Sequence, residues 1–386
     1  MDGLLMEGTS LASFGNDVVG GDAPVVLLGM SGGTDSSVAA MLLLEQGVRV
    51  EGITFRFTEG EAALRSIDEA AALAMRLGIR HHVMDLRERF GELVIDYFVD
   101  EYMAGRTPVP CVVCNKLLKW PQLLEAADRL GIERVATGHY ARLVACGREM
   151  APFVARGVDE DKDQSFFLWT LPPEVRRRMV LPLGAMTKTE VRTYAAAHGF
   201  ERVATKKDSL GVCFSEGDYR DFLRTQIDGV DIAAGRFVSS DGLYLGMHDG
   251  YPFFTVGQRR GFGVTTPEMQ RYRYAHGTPE RTSAPLFVSQ IRPSTNEVVL
   301  SPLSELYQTT ILLEQATLWD DRYLLADAVV MCQIRYRKQL TPCRIIRLTS
   351  DTLRLELLEP LEMIAPGQAA ALYDGVNVIG GGIILG

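Results

Sequence analysis

The chain has no run of about 18 uncharged apolar residues, which excludes a membrane-spanning helix. Its first 22 residues contain neither Lys nor Arg and hold no sustained apolar core, which argues against a secretory signal. They read as a flexible leader. Cysteine is sparse, since six in 386 residues cannot form the scaffold of a small disulfide-rich secreted fold. The expected compartment is the cytoplasm, where such thiols point to chemistry or metal rather than stapling. Positive charge is also short. The formal net charge is −9, so a nucleic-acid partner would have to be met by a local basic face. Internal repeats and low-complexity segments are absent.

Two stretches offer such a face. Met331 to Leu348 carries Arg335, Arg337, Lys338, Arg344 and Arg347 with no acid among them. Gly257 to Tyr274 carries Arg259, Arg260, Arg271 and Arg273 against the single acid Glu268. Either one alone also fits a solvated strand face.

A length of 386 residues implies two or three domains. The apolar run Ala23 to Met30 reads as a buried strand ending in a glycine-rich turn. A helix is expected from Ser36 to about Gln46, with Gly47 where a C-terminal cap belongs. Val48 to Phe57 follows as a strand, Glu61 to Leu77 as a helix stopped by Gly78, and His81 to Leu86 as a strand. Glu88 to Ala104 reads as a helix and Arg134 to Thr137 as a short strand. This alternation implies a parallel sheet covered on both faces. After about residue 218 strands dominate: Gly242 to Tyr244, Pro252 to Val256, Leu286 to Gln290, Glu297 to Leu300, Ala328 to Tyr336, Cys343 to Leu348 and Thr352 to Leu358. Their Gly and Pro turns suit small sandwiches or barrels. The expected division is a leader at 1–22, an α/β domain at 23–218, a small central domain at 219–282 and a C-terminal β-barrel at 283–386.

The sharpest motif is Ser31-Gly32-Gly33-Thr34-Asp35-Ser36, between the first strand and the first helix. Glycines let the backbone turn its N–H groups onto an anion, and the helix presents its own open N–H groups and dipole to the same place. Ser31 and Ser36 add hydroxyl donors, and Asp35 can hold Mg²⁺ on phosphates. The loop lacks the Gly-Lys-[Ser/Thr] ending of a Walker A site and the G-x-G-x-x-G of a dinucleotide site. It resembles instead the PP-loop of ATP pyrophosphatases, which cleave between the α and β phosphates.

Further segments occur in one order: Ala104-Gly-Arg-Thr-Pro108, Cys114-Asn115-Lys116, Ala136-Thr-Gly-His-Tyr140, Lys162-Asp163-Gln164, Leu181-Pro-Leu-Gly184, Lys207-Asp-Ser209 with Gly211-Val-Cys-Phe214, Gly257-Gln-Arg259, Arg335-Tyr-Arg337, and Pro366-Gly-Gln368 with Gly380-Gly-Gly382. From about residue 24 to the C-terminus the series resembles the bacterial tRNA-specific 2-thiouridylase family. The resemblance implies a PP-loop domain that binds ATP through Gly29, Met30 and Ser31 to Ser36, with Phe55 and Gly138 near the adenosine. It implies that a central domain and a β-barrel hold the anticodon stem-loop of a tRNA. Val109, Pro110 and Cys111 would face the target base, and His139, Lys162, Asp163, Gln164, Arg335, Tyr336 and Gln368 would touch the tRNA. Cys114 matches the family's nucleophile and Cys213 its persulfide carrier, fed by a sulfur donor protein or a sulfide source. The activity implied is replacement of a wobble-uridine C2 oxygen by sulfur after adenylylation.

The commonest family pattern has Asp where Cys111 stands, so three thiols would converge. In one reading Cys213 carries a persulfide that Cys114 later attacks, and Cys111 is a bystander. In another, Cys111, Cys114 and Cys213 hold an iron–sulfur cluster with one iron open. Zinc is a third option, weakened by the lack of an evident fourth ligand. Cys146, Cys332 and Cys343 read as small buried hydrophobes. Without the resemblance His139 would be a loop histidine with nothing adjacent to tune it. His81-His82 reads as structural or solvated, Arg176-Arg-Arg178 as a solvated helix face, and Phe166 to Trp169 as core.

Overall fold

A computed structural model describes residues 23–146, 150–205, 211–215, 217–228, 232–263, 265–279, 281–336 and 339–385, without the side chains of 202 and 203. The leader, Lys207-Asp-Ser209, Arg337 and Lys338 lie outside them. The chain divides into two compact units. One comprises residues up to Val94, Cys111–Leu210 and Asp374–Ile379; the other comprises Ile95–Pro110, Gly211–Tyr373 and Gly380–Gly386.

The first unit is α/β. In chain order it runs β1 (Val25–Gly29), α1 (Thr34–Glu45), β2 (Arg49–Arg56), α2 (Glu61–Leu77), β3 (Arg80–Asp85) and α3 (Arg87–Phe90). After α4 (Asp96–Met103), which belongs to the second unit, come α5 (Pro110–Cys114), α6 (Trp120–Leu130), β4 (Arg134–Ala136), β5 (Ala141–Val144) and β6 (Phe153–Arg156). It ends with α7 (Pro173–Arg178), β7 (Met179–Val180), α8 (Lys188–Ala197) and α9 (Glu201–Thr205). The sheet order is β3-β2-β1-β4-β7, and every pairing is parallel. Val26, Leu27 and Leu28 of the central strand are wholly buried. Val26 and Leu28 share a core with α1, α2 and α8, while α6 lies against β1 and β4. Strand alternation sends Leu27 to the face opposite Val26 and Leu28. Helices on both faces are what a parallel sheet requires.

The helix expected at Glu88 to Ala104 is three pieces. A π-helical turn, Gly91–Ile95, joins α3 to α4, and the boundary between the units falls inside it. A second π-helical turn, Asn115–Lys119, joins α5 to α6 directly after Cys114. Such turns insert one extra residue per turn and recur at functional sites.

The second unit contains α4, α10 (Tyr219–Gln226), β8 (Gly235–Val238), β9 (Tyr244–His248), α11 (Pro267–Ala275), β10 (Leu286–Arg292) and β11 (Glu297–Pro302). The four strands form a sheet in the order β10-β11-β8-β9. Then follow β12 (Tyr307–Leu318), β13 (Val330–Gln333), β14 (Thr341–Arg347), β15 (Leu353–Glu362), β16 (Ala369–Asp374) and β17 (Asn377–Ile384), the stretch Asp374–Ile379 counting with the first unit. The order β12-β15-β14-β13-β16-β17 closes through β12–β17 into a six-stranded barrel, which leaves no open edge. Phe98 and Tyr102 of α4 sit in the core of this unit, Phe98 edge-on to Phe214 and Tyr102 stacked on Tyr219.

Several expectations need correction. Pro252 to Val256 is no strand. Tyr251–Phe253 forms a 3₁₀ turn, because Pro252 has no N–H for a ladder and Gly250 turns the chain at φ 138°. The strand expected at Gly242 to Tyr244 begins at Tyr244, and Gly242 makes the preceding turn at φ 87°. Of Ala328 to Tyr336 only Val330–Gln333 is strand. Helices α10 and α11 and the long strand β12 were not anticipated. Arg176 is buried and donates to the carbonyls of Leu171 and Pro152, and Arg178 donates to those of Glu133 and Ile132. That helix face is therefore tied down rather than solvated. Cys332 and Cys343 are wholly buried, whereas Cys146 is half-exposed. His81 shares a hydrogen bond with Thr54 and His82 with Glu51, which makes them structural. Phe166, Leu168 and Trp169 are core. No helix of the described residues is long and apolar enough to cross a membrane.

Candidate active site

In open parallel sheets, ligands gather at the carboxyl ends of strands where the order reverses. Here the reversal lies between β1, continued on one side by β2, and β4 on the other. The loop 29–36 leaves β1 at that point. Phe55 lies at the carboxyl end of β2, and Gly138 and His139 follow β4. All the nucleotide-binding candidates therefore share one edge of one sheet.

The loop is held open by its residue choice. Gly33 occupies the N-cap of α1 and offers no side chain to the first-turn N–H groups. Gly32 stands at φ 65°, and a Cβ there would lie 2.5 Å from the Ser66 carbonyl oxygen. Ser36 Oγ accepts from the Ser31 N–H at 3.1 Å and donates to the Gly33 carbonyl at 3.3 Å, and Ser37 Oγ donates to the same carbonyl at 2.7 Å. Met30 donates its N–H to Ile53 O at 2.7 Å, and its sulfur lies over Gly52 where a Cβ would be 2.3 Å away. Gly138 presses on the same loop, because a Cβ there would stand 2.9 Å from both the Asp35 carbonyl carbon and the Ser36 nitrogen.

Asp35 is engaged by two residues remote from it along the chain. Tyr140 Oη and Lys188 Nζ each donate to Asp35 Oδ1 at 2.7 Å. Among the described residues the second carboxylate oxygen takes no such bond. A magnesium ion usually takes one or two carboxylates and completes its shell with phosphate and water. The half-exposed Asp35 fits that role through its second oxygen.

The thiols Cys111 and Cys114 sit three apart on α5, hence on one helical face. Cys111 is exposed and Cys114 buried. Burial raises the Cys114 thiol, while the Lys119 charge and backbone N–H oppose it. Lys119 also acts on His139, whose ring is held well below its usual pKa first by burial and then by that charge. His139 stacks on Trp120 and shares a 2.6 Å hydrogen bond with Thr137, so it is tuned by its neighbours after all. Lys119 thus acts electrostatically on both Cys114 and His139, and His139 directly follows Gly138, which abuts the phosphate loop. Asn115 is buried, donates to Phe167 O and finds no partner for its own Oδ1 among the described residues.

The other candidates divide by unit. In the first unit Asp163 is buried and accepts from Arg156, the Gly157 and Ser165 N–H groups and the Ser165 hydroxyl. Gln164 Oε1 accepts from the Tyr140 N–H, which fixes the segment bearing His139. Lys162 is half-buried. In the second unit Cys213 is exposed in a turn, while its neighbours Val212 and Phe214 pack on the core. The Val109 N–H donates to Tyr97 Oη, and Val109 and Pro110 are buried. Gln368 Nε2 donates to Thr107 O and Pro108 O, and Arg335 donates to Val256 O and Met363 O. Tyr336 is half-buried beside Arg335. Among the described residues no group of three or more His, Cys, Asp or Glu side chains is arranged to hold a metal ion.

Two outcomes are expected. Gly138→Ala should displace the loop and cost one or two charge-assisted hydrogen bonds, weakening ATP by about tenfold or more in an equilibrium titration. Unchanged affinity would deny the loop its role. His139 releases its proton more readily folded than unfolded. Its contribution to stability is therefore complete above pH 6.5 and lost as pH falls, by up to about 1.4 kcal/mol per pH unit. Urea unfolding of His139→Gln between pH 7 and 5 should show a shallower loss than the parent; equal slopes would contradict the neutral, buried ring.

Comparison with known proteins fits this geometry. A family described as a tRNA methyl transferase HUP domain matches residues 24–217, a tRNA methyl transferase PRC-barrel domain matches 220–302, and an aminomethyltransferase beta-barrel domain matches 310–384. The tRNA-specific 2-thiouridylase MnmA 1 of Bacteroides fragilis is 47% identical, covering 93% of this chain and 96% of its own. MnmA 2 of Phocaeicola vulgatus is also 47% identical, with 93% and 97% covered, and MnmA of Salinibacter ruber is 39% identical, with 93% and 94% covered. Among solved structures, the U34-tRNA thiolase NcsA from Methanococcus maripaludis with its 4Fe-4S cluster overlaps at TM-score 0.34 and 18% identity, over 54% of this chain and 65% of that one. A likeness that loose bears on neither the cluster nor the substrate. On full-length identity to the thiouridylases, the chain belongs to the tRNA-specific 2-thiouridylase family.

Proposed function

We propose that this chain is an ATP-dependent tRNA sulfurtransferase that converts the C2 carbonyl of the anticodon wobble uridine to a thiocarbonyl. The observation that carries the reading is the Ser31–Ser36 loop at the carboxyl end of β1, in the same unit as Cys114, on whose thiol Lys119 acts. The matched domain descriptions speak of methyl transfer, whereas the curated relatives speak of thiolation. A phosphate cradle and a basic residue acting on a buried thiol are what sulfur insertion needs, and they support the second name.

The chemistry runs in balanced steps. The uridine O2 attacks the α-phosphorus of ATP, forming the C2–O–P bond and expelling pyrophosphate. Backbone N–H groups at the start of α1 and the hydroxyls of Ser31 and Ser36 meet the developing phosphate charge. Lys188, now bonded to Asp35, stands ready to turn to the departing pyrophosphate. Magnesium held by Asp35 and the phosphates would add Lewis-acid stabilisation. A persulfide on Cys213 then attacks C2 with its terminal sulfur and AMP leaves. The Cys114 thiolate takes the Cys213 sulfur, the old S–S bond breaks to release C2=S, and an external dithiol reduces the resulting disulfide. The persulfide sulfur comes from a donor protein's own persulfide, whose outer sulfur passes to the Cys213 thiolate as the donor's thiolate leaves; a sulfide source would serve the cluster reading instead. The tRNA is engaged through Val109 to Cys111, His139, Lys162 to Gln164, Arg335, Tyr336 and Gln368, with Phe55 and Gly138 beside the adenosine. In domain terms, 23–218 is the catalytic part, 219–282 the central tRNA-binding part and 283–386 the barrel, preceded by the leader.

A second reading, an iron–sulfur cluster on Cys111, Cys114 and Cys213, draws support from the two thiols sharing one helical face. No step above is routed through it. The readings separate in one set of experiments. Cys213→Ala should abolish 2-thiouridine, measured by nucleoside mass spectrometry, while ATP binding stays within about twofold of the parent. Loss of both would make Cys213 structural. Cys111→Asp should remain active under the persulfide reading. An inactive Cys111→Asp protein, together with stoichiometric iron and sulfide in anaerobically prepared parent, would replace it with the cluster.

A further inference from the structure

Each end of the short segment 159–164 grips one of the two residues that hold Asp35. At one end the Asp159 carboxylate divides its oxygens between two parts of the chain. Its Oδ1 accepts the N–H groups of Asp161 and Lys162, each at 3.1 Å, and its Oδ2 accepts the Lys188 N–H at 2.7 Å. At the other end Gln164 makes a two-point clasp on Tyr140. Its N–H donates to the Tyr140 carbonyl at 2.8 Å, and its Oε1 accepts the Tyr140 N–H at 3.0 Å. Lys188 Nζ and Tyr140 Oη then meet on one oxygen, Asp35 Oδ1. Between the two grips Asp163 is buried and bonded to Arg156, Gly157 and Ser165, which stiffens the segment.

The start of α8 is arranged around this bridge. Its first turn has N–H groups to satisfy. The capping box accounts for two bonds there, the Glu190 N–H on Thr187 Oγ1 at 3.2 Å and the Thr187 N–H on Glu190 Oε2 at 2.7 Å. The Lys188 N–H goes to Asp159. Val191 and Ala195 of the same helix are buried in the core shared with α1, so the backbone that carries Lys188 is fixed relative to the phosphate loop. The bridge needs two acceptor atoms with a charge behind them. An amide in place of the carboxylate would offer one oxygen and one NH₂ group, so one of the two sets of N–H groups would then face a donor.

We propose that Asp159 is a positioning residue for adenylylation: it acts through Lys188 on Asp35, and so carries the seating of tRNA on Lys162 and Gln164 to the phosphate loop. The proposal rests on the tRNA reading above. It is tested with the full chain, titrated with a nonhydrolysable ATP analogue and magnesium, with and without a saturating anticodon-bearing tRNA transcript. In the parent, tRNA should tighten the analogue by about fivefold or more, and by linkage the analogue should tighten tRNA by the same factor. Asp159→Asn should reduce that factor to under about twofold. It should also lower the kcat of AMP formation by about tenfold or more while leaving the KM for tRNA unchanged. Glu160→Gln removes the same charge from the exposed neighbouring position and should behave as the parent does. Action through Lys188 is read from a double-mutant cycle: in a Lys188→Met background Asp159→Asn should cost little more, because the ammonium it positions is gone. Asp159→Ser gives the same reading should the amide variant fold poorly. Additive losses in the cycle would make Asp159 merely structural and overturn the proposal. A parent factor of about 1, or a factor that Asp159→Asn leaves unchanged, overturns it as well. A parent that binds the nucleotide but neither binds tRNA nor forms AMP with it overturns the functional reading itself, and the proposal with it.

Discussion

A polyphosphate can be gripped by backbone N–H groups only where the chain comes within hydrogen-bond reach of it, and no side chain may stand between. The residues around the loop obey that constraint. Gly32 turns under Ser66, Gly33 leaves the start of α1 without a side-chain cap, and Gly138 brings the end of β4 against Asp35 and Ser36. The parallel order of β2, β1 and β4 sends all three segments to one edge. Fold and chemistry meet in that close approach: β1 must be buried to aim the loop, and the turn after β4 must carry a residue with no Cβ at Gly138.

Beside the cradle, charge is arranged to manage two opposite tasks. Asp35 would repel a polyphosphate, yet Tyr140 and Lys188 hold one of its oxygens and leave the other for a cation. Cys114 is buried, which favours the neutral thiol, yet Lys119 favours the thiolate that any sulfur transfer needs. Burial first, and the charge of the same lysine second, keep His139 neutral, so that ring can accept or donate a hydrogen bond without adding charge. The π-helical turn after Cys114 sets Lys119 in this position. In the second unit the matched motifs act as clasps: Gln368 on the 107–108 backbone, and Arg335 over Gly257, where a Cβ would lie 2.9 Å from the guanidinium.

Local features were legible in the sequence because local physics decides them. The loop's glycines, the caps at Gly47 and Gly78, the α2 helix and the alternating strands β14 and β15 all follow from backbone freedom and periodicity. What escaped depends on partners remote in sequence. Lys188 lies 153 residues from Asp35 and Tyr140 lies 105, and only the fold brings them together. Pro252 to Val256 had a strand's composition, but the missing N–H of Pro252 outweighed it. Arg176 looked solvated until its carbonyl partners were in place, and a run of arginines could not reveal which are neutralised. The thiol set was legible as chemistry, though not as one mechanism, since persulfide and cluster ask for the same residues.

The central claim is that the cradle activates a carbonyl by joining its oxygen to the α-phosphorus. It is tested most directly with a tRNA whose wobble uridine carries ¹⁸O at C2, turned over with ATP and a sulfur source. The account predicts one ¹⁸O in the phosphate of AMP for every 2-thiouridine formed. Thiolation accompanied by ¹⁸O in water, in pyrophosphate or in inorganic phosphate, with unlabelled AMP, would contradict it.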